Sequence, residues 1–118
     1  MKDLMSPQRL EGENAVHAAS GGCSDGNHDL GFRAAFFDYA SQRLYLSRFA
    51  DGRLAPVHLL DGLPEEVVVD RALSGRVIAA RASLVAGFER HGLFYTRKSA
   101  ARAAAALRSR ARQVKPLL

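Results

Sequence analysis

The sequence predicts a small α+β domain, in which an antiparallel sheet built from hairpins packs against one C-terminal α-helix. Three observations predict it. Short apolar segments separated by Gly- and Asp-containing turns recur between residues 30 and 95. An alanine-rich amphipathic segment follows them, and a polar, glycine-containing stretch precedes them. We therefore divide the 118 residues into a flexible, disordered N-terminal tail, 1–29, and a single domain, 30–118.

The predicted tail offers little apolar surface. Residues 20–29 read SGGCSDGNHD, which is the composition of a flexible linker. Such a stretch cannot bury enough surface to offset the entropy that is lost when a chain becomes ordered. A short helix over residues 7–19 is an alternative for the middle of this segment.

The first two strands are predicted from their side-chain patterns. Residues 32–37 are short, aromatic and mostly apolar, and a turn follows them. Residues 43–49 place Leu44 and Leu46 on one face and Tyr45 on the other. The two segments are close enough in the chain to pair as antiparallel neighbours.

A hairpin turn is predicted at Asp51-Gly52, because both residue types tolerate the positive φ that such turns require. Residues 54–60 should then return as a strand. Proline has no N–H to donate, so Pro56 places that strand at a sheet edge or breaks it. A second turn is expected at residues 61–64.

Residues 65–71 fit two structures. Glu65 and Glu66 after Pro64 suit the start of a helix, whereas three consecutive valines favour a strand. We expect a strand that forms a hairpin with residues 76–82. If the segment is helical, the sheet loses that strand and its hairpin.

Two further short segments complete the expected sheet. Residues 83–88 extend the hairpin or form a separate piece, and a turn follows at residues 89–92. Residues 93–95 form a last extended stretch. Phe88, Phe94 and Tyr95 lie near arginines, as in sheets that stack single-stranded bases, although core packing explains the same pattern.

The C-terminal helix should run over residues 97–113. The hydroxyl of Thr96 can cap its start, alanines give it high intrinsic helicity, and Pro116 ends it. Its apolar positions form one stripe, at Ala100, Ala103, Ala104, Leu107, Ala111 and Val114.

Charge is distributed unevenly along the chain. Residues 1–69 carry 6 Lys/Arg and 10 Asp/Glu, a net charge of −4, whereas residues 70–118 carry 11 and 2, a net charge of +9. Of the 17 cations, 14 are Arg, a bias that a GC-rich, bacterial-like genome produces by itself. The separation of charge is therefore better evidence of a function than its total.

A basic helix face is the candidate binding site. At 100° per residue, five cations fall within about 140° of one another, opposite the apolar stripe, and Arg110 lies to one side. These five are Arg97, Lys98, Arg102, Arg108 and Arg112. Guanidinium groups bind phosphate oxygens in two places, so the face could lie along nucleic acid or another anionic macromolecule. A solvated surface with favourable helix-dipole contacts is the other explanation.

No cofactor, metal or catalytic motif accompanies this face. His17, Cys23, Asp25, His28 and Asp29 lack the paired spacing of zinc ligands. No Gly-x-Ser-x-Gly elbow and no Gly-rich phosphate loop occurs in the sequence.

His58 lies three residues before Asp61, but we expect a partly buried strand histidine there rather than an acid–base pair. We therefore expect no enzyme. The expected function is a non-enzymatic binding module whose helix contacts phosphates. The alternative is a protein–protein adaptor that pairs through an exposed strand edge, as a homodimer.

The location is inferred from what the sequence lacks. One cysteine cannot form an internal disulfide, so nothing indicates an oxidising compartment. No run of about 18 apolar residues occurs, and the first residues lack the apolar core of a signal peptide. We expect no membrane segment and a cytoplasmic location.

Overall fold

The computed structural model describes residues 4–19 and 30–113, with side chains described for residues 4–16 and 30–110. Its strands form a four-stranded antiparallel sheet, in the order β2-β1-β5-β6, and a separate β3-β4 ribbon. The elements are α1 (Pro7–Ala19), β1 (Arg33–Asp38), β2 (Arg43–Leu46), β3 (Val68–Arg71), β4 (Val77–Ala80), β5 (Leu84–Arg90), β6 (Leu93–Thr96) and α2 (Arg97–Gln113). The expected antiparallel sheet packed against a C-terminal helix is confirmed.

The segment before residue 20 forms α1, the helix over residues 7–19 that was the alternative to a disordered tail. Ser6 caps α1, since its Oγ accepts the Arg9 N–H at 3.1 Å, and Pro7 occupies the first helical position. Met5 exchanges two backbone hydrogen bonds with Ala80 and is fully buried, and Leu10 is also in the core. The chain from Leu4 therefore packs on the domain, while residues 20–29 lie outside the described part.

The register between β1 and β5 decides which side chains face the core. Alternation along the two strands places one set on the same side, which we call the inner face. The inner face consists of Ala34, Phe36, Asp38, Leu84, Ala86 and Phe88. Both helices and the β3-β4 ribbon contribute side chains to clusters on this side.

Two hydrophobic clusters share the inner face. The first surrounds Phe36 and includes Met5 and Leu10 from the N-terminal segment. The second surrounds Phe88 and includes Phe32 and the helix residues Ala100 and Ala104. Large side chains buried in this way each contribute roughly 1.5–3 kcal/mol.

His58 lies between the two clusters. Its ring makes edge contacts with Phe36 and Phe88, with centroids 5.5 and 5.2 Å away. Its Nε2 lies 2.6 Å from the carbonyl oxygen of Gly87, so Nε2–H donates to that oxygen. The histidine is buried, but it lies in a loop rather than in the predicted strand.

The loop that contains His58 replaces the strand expected over residues 54–60. Arg48 and Leu54 form an isolated bridge after the turn at Asp51-Gly52. Beyond Pro56 the chain bonds to a side chain instead, since the hydroxyl of Ser47 donates to Val57 and accepts from Leu59, both at 2.8 Å.

The structure combines the two alternatives for residues 65–71. A short 3₁₀ turn, Glu65–Val67, leads directly into β3, which pairs with β4 as expected.

Strand β5 extends beyond the expected residues 83–88, through Arg90. The turn to β6 is therefore only His91-Gly92, whose φ values are 53° and 83°.

Asp38 is a fully buried carboxylate at the end of β1. It accepts hydrogen bonds from Ser41 at 2.8 Å, from Ser83, and from Arg81 at 3.1 Å. Burial opposes its ionisation, but these bonds and the Ala40 N–H outweigh burial, so the pKa of Asp38 lies below its ordinary value. The carboxylate ties the β1–β2 turn to the β4–β5 turn.

Replacing this carboxylate, Asp38→Asn, should lower the free energy of unfolding by on the order of 2 kcal/mol at pH 7, because its charged hydrogen bonds are lost. The pKa of Asp38 in the folded state lies below the unfolded value of about 4. Ionised Asp38 therefore stabilises the fold fully at pH values above about 4. Wild-type stability should fall as the pH drops through the folded-state pKa, and the variant should lose part of that dependence. Urea unfolding between about pH 2 and pH 7 measures both effects. The exposed Asp70→Asn should change stability at pH 7 by less than about 0.5 kcal/mol; an equal loss there would contradict this role for Asp38.

Gly87 is required by a close approach at the centre of β5. A Cβ at this position would lie 2.5 Å from the ring of Phe94 and even closer to the backbone oxygen of Tyr95. The ring of Phe94 therefore lies across the strand on one side, while His58 bonds to the Gly87 carbonyl on the other.

The variant Gly87→Ala should destabilise the protein by about 1–3 kcal/mol, because β6 must move away from β5. The matched control is Gly12→Ala in α1, where no atom lies within 4 Å of a new Cβ. Alanine should stabilise that helix by roughly 0.5–1 kcal/mol. Thermal or urea unfolding gives both values, and a Gly87→Ala variant as stable as wild type would contradict the contact.

Candidate anion-binding surface on the C-terminal helix

Helix α2 begins at a side-chain cap and is held on the sheet by small residues. The Ser99 N–H donates to Thr96 Oγ1 at 3.1 Å, which confirms the predicted cap. Ala100 and Ala104 are buried against Phe32 and Phe88. Because alanine side chains are short, the helix lies close to the sheet and its opposite side faces outward.

Three exposed cations lie on that outward side: Lys98, Arg102 and Arg110. Lys98 and Arg102 lie on adjacent turns, and Arg110 lies about two turns further along and about 80° around the helix; we call these three cations the basic row. The row extends over about 18 Å, at 1.5 Å per residue. Helix α2 contains no Asp or Glu in its 17 residues.

The basic row lacks the carboxylate partners that seven other arginines have; Arg48 and Arg90 instead donate to the backbone oxygens of Gly52 and Leu30. Elsewhere, arginines pair with acids at N–O distances between 2.5 and 3.7 Å. These pairs are Arg9–Glu13, Arg33–Glu89, Arg43–Glu66, Arg53–Asp51, Arg71–Glu65, Arg76–Asp61 and Arg81–Asp38. Within the described residues, no ion pair or side-chain hydrogen bond involves the basic row. Its charge is therefore not neutralised locally.

The structure separates the five predicted site residues. Lys98, Arg102 and Arg108 are exposed, and the side chain of Arg112 lies outside the described side chains. Arg110, which the sequence places to one side, belongs to the basic row.

Arg97 points away from the other cations. It is half-buried, and its guanidinium donates to the side-chain oxygen of Asn14 in α1. Its Nε is buried without a partner. Burial lowers the pKa of Arg97, and the nearby Glu13 partly offsets that effect. Arg97 therefore links the two helices and is poorly placed to meet a ligand.

The aromatic residues considered for base stacking lie on different sides of the sheet. Phe88 and Tyr95 belong to the cluster beneath α2. Phe94 lies on the opposite side and stacks on Phe37, with ring centroids 5.3 Å apart. The three side chains do not form one platform.

The candidate acid–base pair is engaged in other contacts. Asp61 accepts the Val77 N–H at 3.2 Å and pairs with Arg76 at 3.4 Å, while His58 donates to the Gly87 carbonyl. His58 and Asp61 both line an open cavity of about 170 Å³ near α1. The geometry shows no proton-transfer contact between the two side chains.

Metal ligation receives no support from the described residues, which contain no group of three or more His, Cys, Asp or Glu side chains able to hold an ion. Cys23, Asp25, His28 and Asp29 lie outside those residues, as does the side chain of His17. In the described ranges, neither helix has the length and apolar character needed to cross a membrane.

Comparison of the chain with protein-family models, with curated proteins and with solved structures finds no match.

Chemical modification can test the placement of the helix cations. Phenylglyoxal, which reacts with accessible guanidinium groups, should modify Arg102 and Arg110 severalfold faster than Arg97, because Arg97 is half-buried. Peptide mass spectrometry after short reaction times measures the three rates. The same reaction in denaturing urea is the control and should remove the difference. Equal rates in the native protein would show that Arg97 faces solvent.

Proposed function

We propose that the protein is a non-enzymatic binding module that contacts nucleic acid through the basic row of α2. The observation that carries the proposal is the difference between the two groups of cations. Seven arginines outside α2 pair with carboxylates, and Arg48 and Arg90 donate to backbone oxygens. In contrast, Lys98, Arg102 and Arg110 have neither kind of partner in the described residues. An external polyanion would supply the missing negative charge.

The chemistry of the row suits phosphate. Each guanidinium fork of Arg102 and Arg110 can bind two phosphate oxygens, and Lys98 adds a point charge. Duplex DNA carries a negative charge about every 1.7 Å along its axis, so the row's length of about 18 Å meets several phosphates. Contacts of this kind fix position and carry no base information, so we expect little sequence preference. A nucleic-acid partner also fits a cytoplasmic location.

A protein adaptor that pairs through a strand edge has less support. The edges of the four-stranded sheet are β2 and β6, each four residues long. Short edges offer few backbone groups to a further strand. The basic row is therefore the better-supported site.

The test compares binding to a random-sequence DNA duplex at several salt concentrations, by fluorescence anisotropy. Three contacts predict a contribution of about −2.7 to the slope of log K against log salt. Replacing Lys98, Arg102 and Arg110 together by Ala should flatten the slope by about that amount. Affinity at low salt should fall roughly 100-fold, at about 1 kcal/mol per contact.

The matched control removes the same charge elsewhere. Arg43, Arg53 and Arg71 are surface arginines that pair with carboxylates, and their triple Ala variant should bind within a few-fold of wild type. An equal loss of affinity in both triple variants would show that binding depends on the net charge of the protein and not on the basic row. Absence of binding by wild type at low salt would contradict the proposed function.

A further inference from the structure

The four-stranded sheet presents an apolar area on the side opposite the helices. We call it the open face; it consists of Phe37, Tyr39, Leu44, Leu46, Val85 and Phe94. Phe37 stacks on Phe94 and meets the edge of Tyr39, with centroids 5.3 and 4.9 Å apart. Tyr39 is 50% exposed and the other five are partly exposed, whereas both hydrophobic clusters lie on the inner face.

Three polar side chains, Arg33, Glu89 and Thr96, share this side of the sheet with the open face, and each has a partner. Arg33 donates to Glu89 at 2.9 Å, and the second carboxylate oxygen of Glu89 accepts the Gly92 N–H at 2.8 Å. Thr96 is occupied in the cap of α2. Within the described residues, the open face thus presents no unpaired charge.

This balance indicates which partner the face suits. A nucleic acid would bring phosphates, and Arg33, the cation beside this face, is already paired with Glu89. A charged peptide would likewise bury its charge without a partner. A second copy of this chain presents the same apolar, charge-balanced surface, so two open faces can meet without an uncompensated charge.

We propose that the protein forms a weak homodimer by packing two open faces together. The face measures about 20 by 20 Å from the strand spacing and rise, so two copies would bury roughly 800 Å² in all. That area is about half of a standard interface, which places the dimer in the weak, concentration-dependent class. Because α2 packs on the inner face, the dimer would carry its two basic rows on opposite sides.

Sedimentation equilibrium between roughly 5 and 500 μM tests the proposal, and the wild-type mass should rise from monomer toward dimer over this range. Val85 lies on the central strand β5, so Val85→Lys should weaken the dimer at least about tenfold through like-charge repulsion. Leu44→Lys, on the edge strand β2, is a second variant with the same expectation. Circular dichroism and thermal melting check that each variant folds.

The matched control is Val69→Lys, which changes a 52% exposed valine on β3, away from the open face. It should leave dimerisation within about twofold of wild type. A mixture of Val85→Lys and Val85→Glu should regain association that neither variant has alone, because residues near a two-fold axis meet their own copies.

A wild-type protein that stays monomeric at the highest concentration would contradict the homodimer, and so would a dimer that persists in both lysine variants. Weakening of the dimer by Val69→Lys as strongly as by Val85→Lys would also contradict it. Loss of oligonucleotide binding by both Val85 variants at an unchanged monomeric mass would instead assign the face to nucleic acid. The proposed function rests on α2, so its failure and the failure of the dimer are observed separately.

Discussion

Strand β1 pairs with β5 from Arg33–Glu89 to Asp38–Leu84, and the rest of the structure depends on this register. It places Phe36 beside Ala86 on the side that the helices cover. A slip of one residue would turn every inner-face side chain to the other side of the sheet. The hydrogen bonds of Asp38 fix one end of the pair, and the absent side chain of Gly87 admits the Phe94 ring at the centre of β5.

The same register separates two kinds of surface chemistry. On the covered side, alanines hold α2 close to the sheet, so its larger cations are directed outward and away from the carboxylates of the strands. On the other side, the arginine nearest the apolar surface is neutralised by Glu89, whose pKa is lowered chiefly by its hydrogen bond from Arg33. The basic row and the open face therefore lie on different sides of the molecule.

Local signals allowed much of the fold to be predicted. Helix α2 has the expected bounds because Thr96 and the alanine stripe are strong local determinants, and β1, β2, β4 and β6 follow apolar patterns. The length of strand β5 was underestimated, because Gly87 interrupts its apolar pattern and Glu89 resembles a turn residue. Ser6 and Pro7 have the sequence pattern of a helix start, so the beginning of α1 could be predicted from the sequence. The direction of Arg97 depends on Asn14, which lies 83 residues away in the chain, so helical periodicity alone could not give it.

We propose that nucleic acid meets the outward side of α2. The most direct measurement is a titration of ¹⁵N-labelled protein with a short DNA duplex, followed by amide and arginine Nε–H chemical shifts. We expect saturable shifts at residues 98–110, including the side-chain signals of Arg102 and Arg110, with inner-face residues unchanged. Shifts confined to β1 and β5, with α2 unaffected, would contradict it.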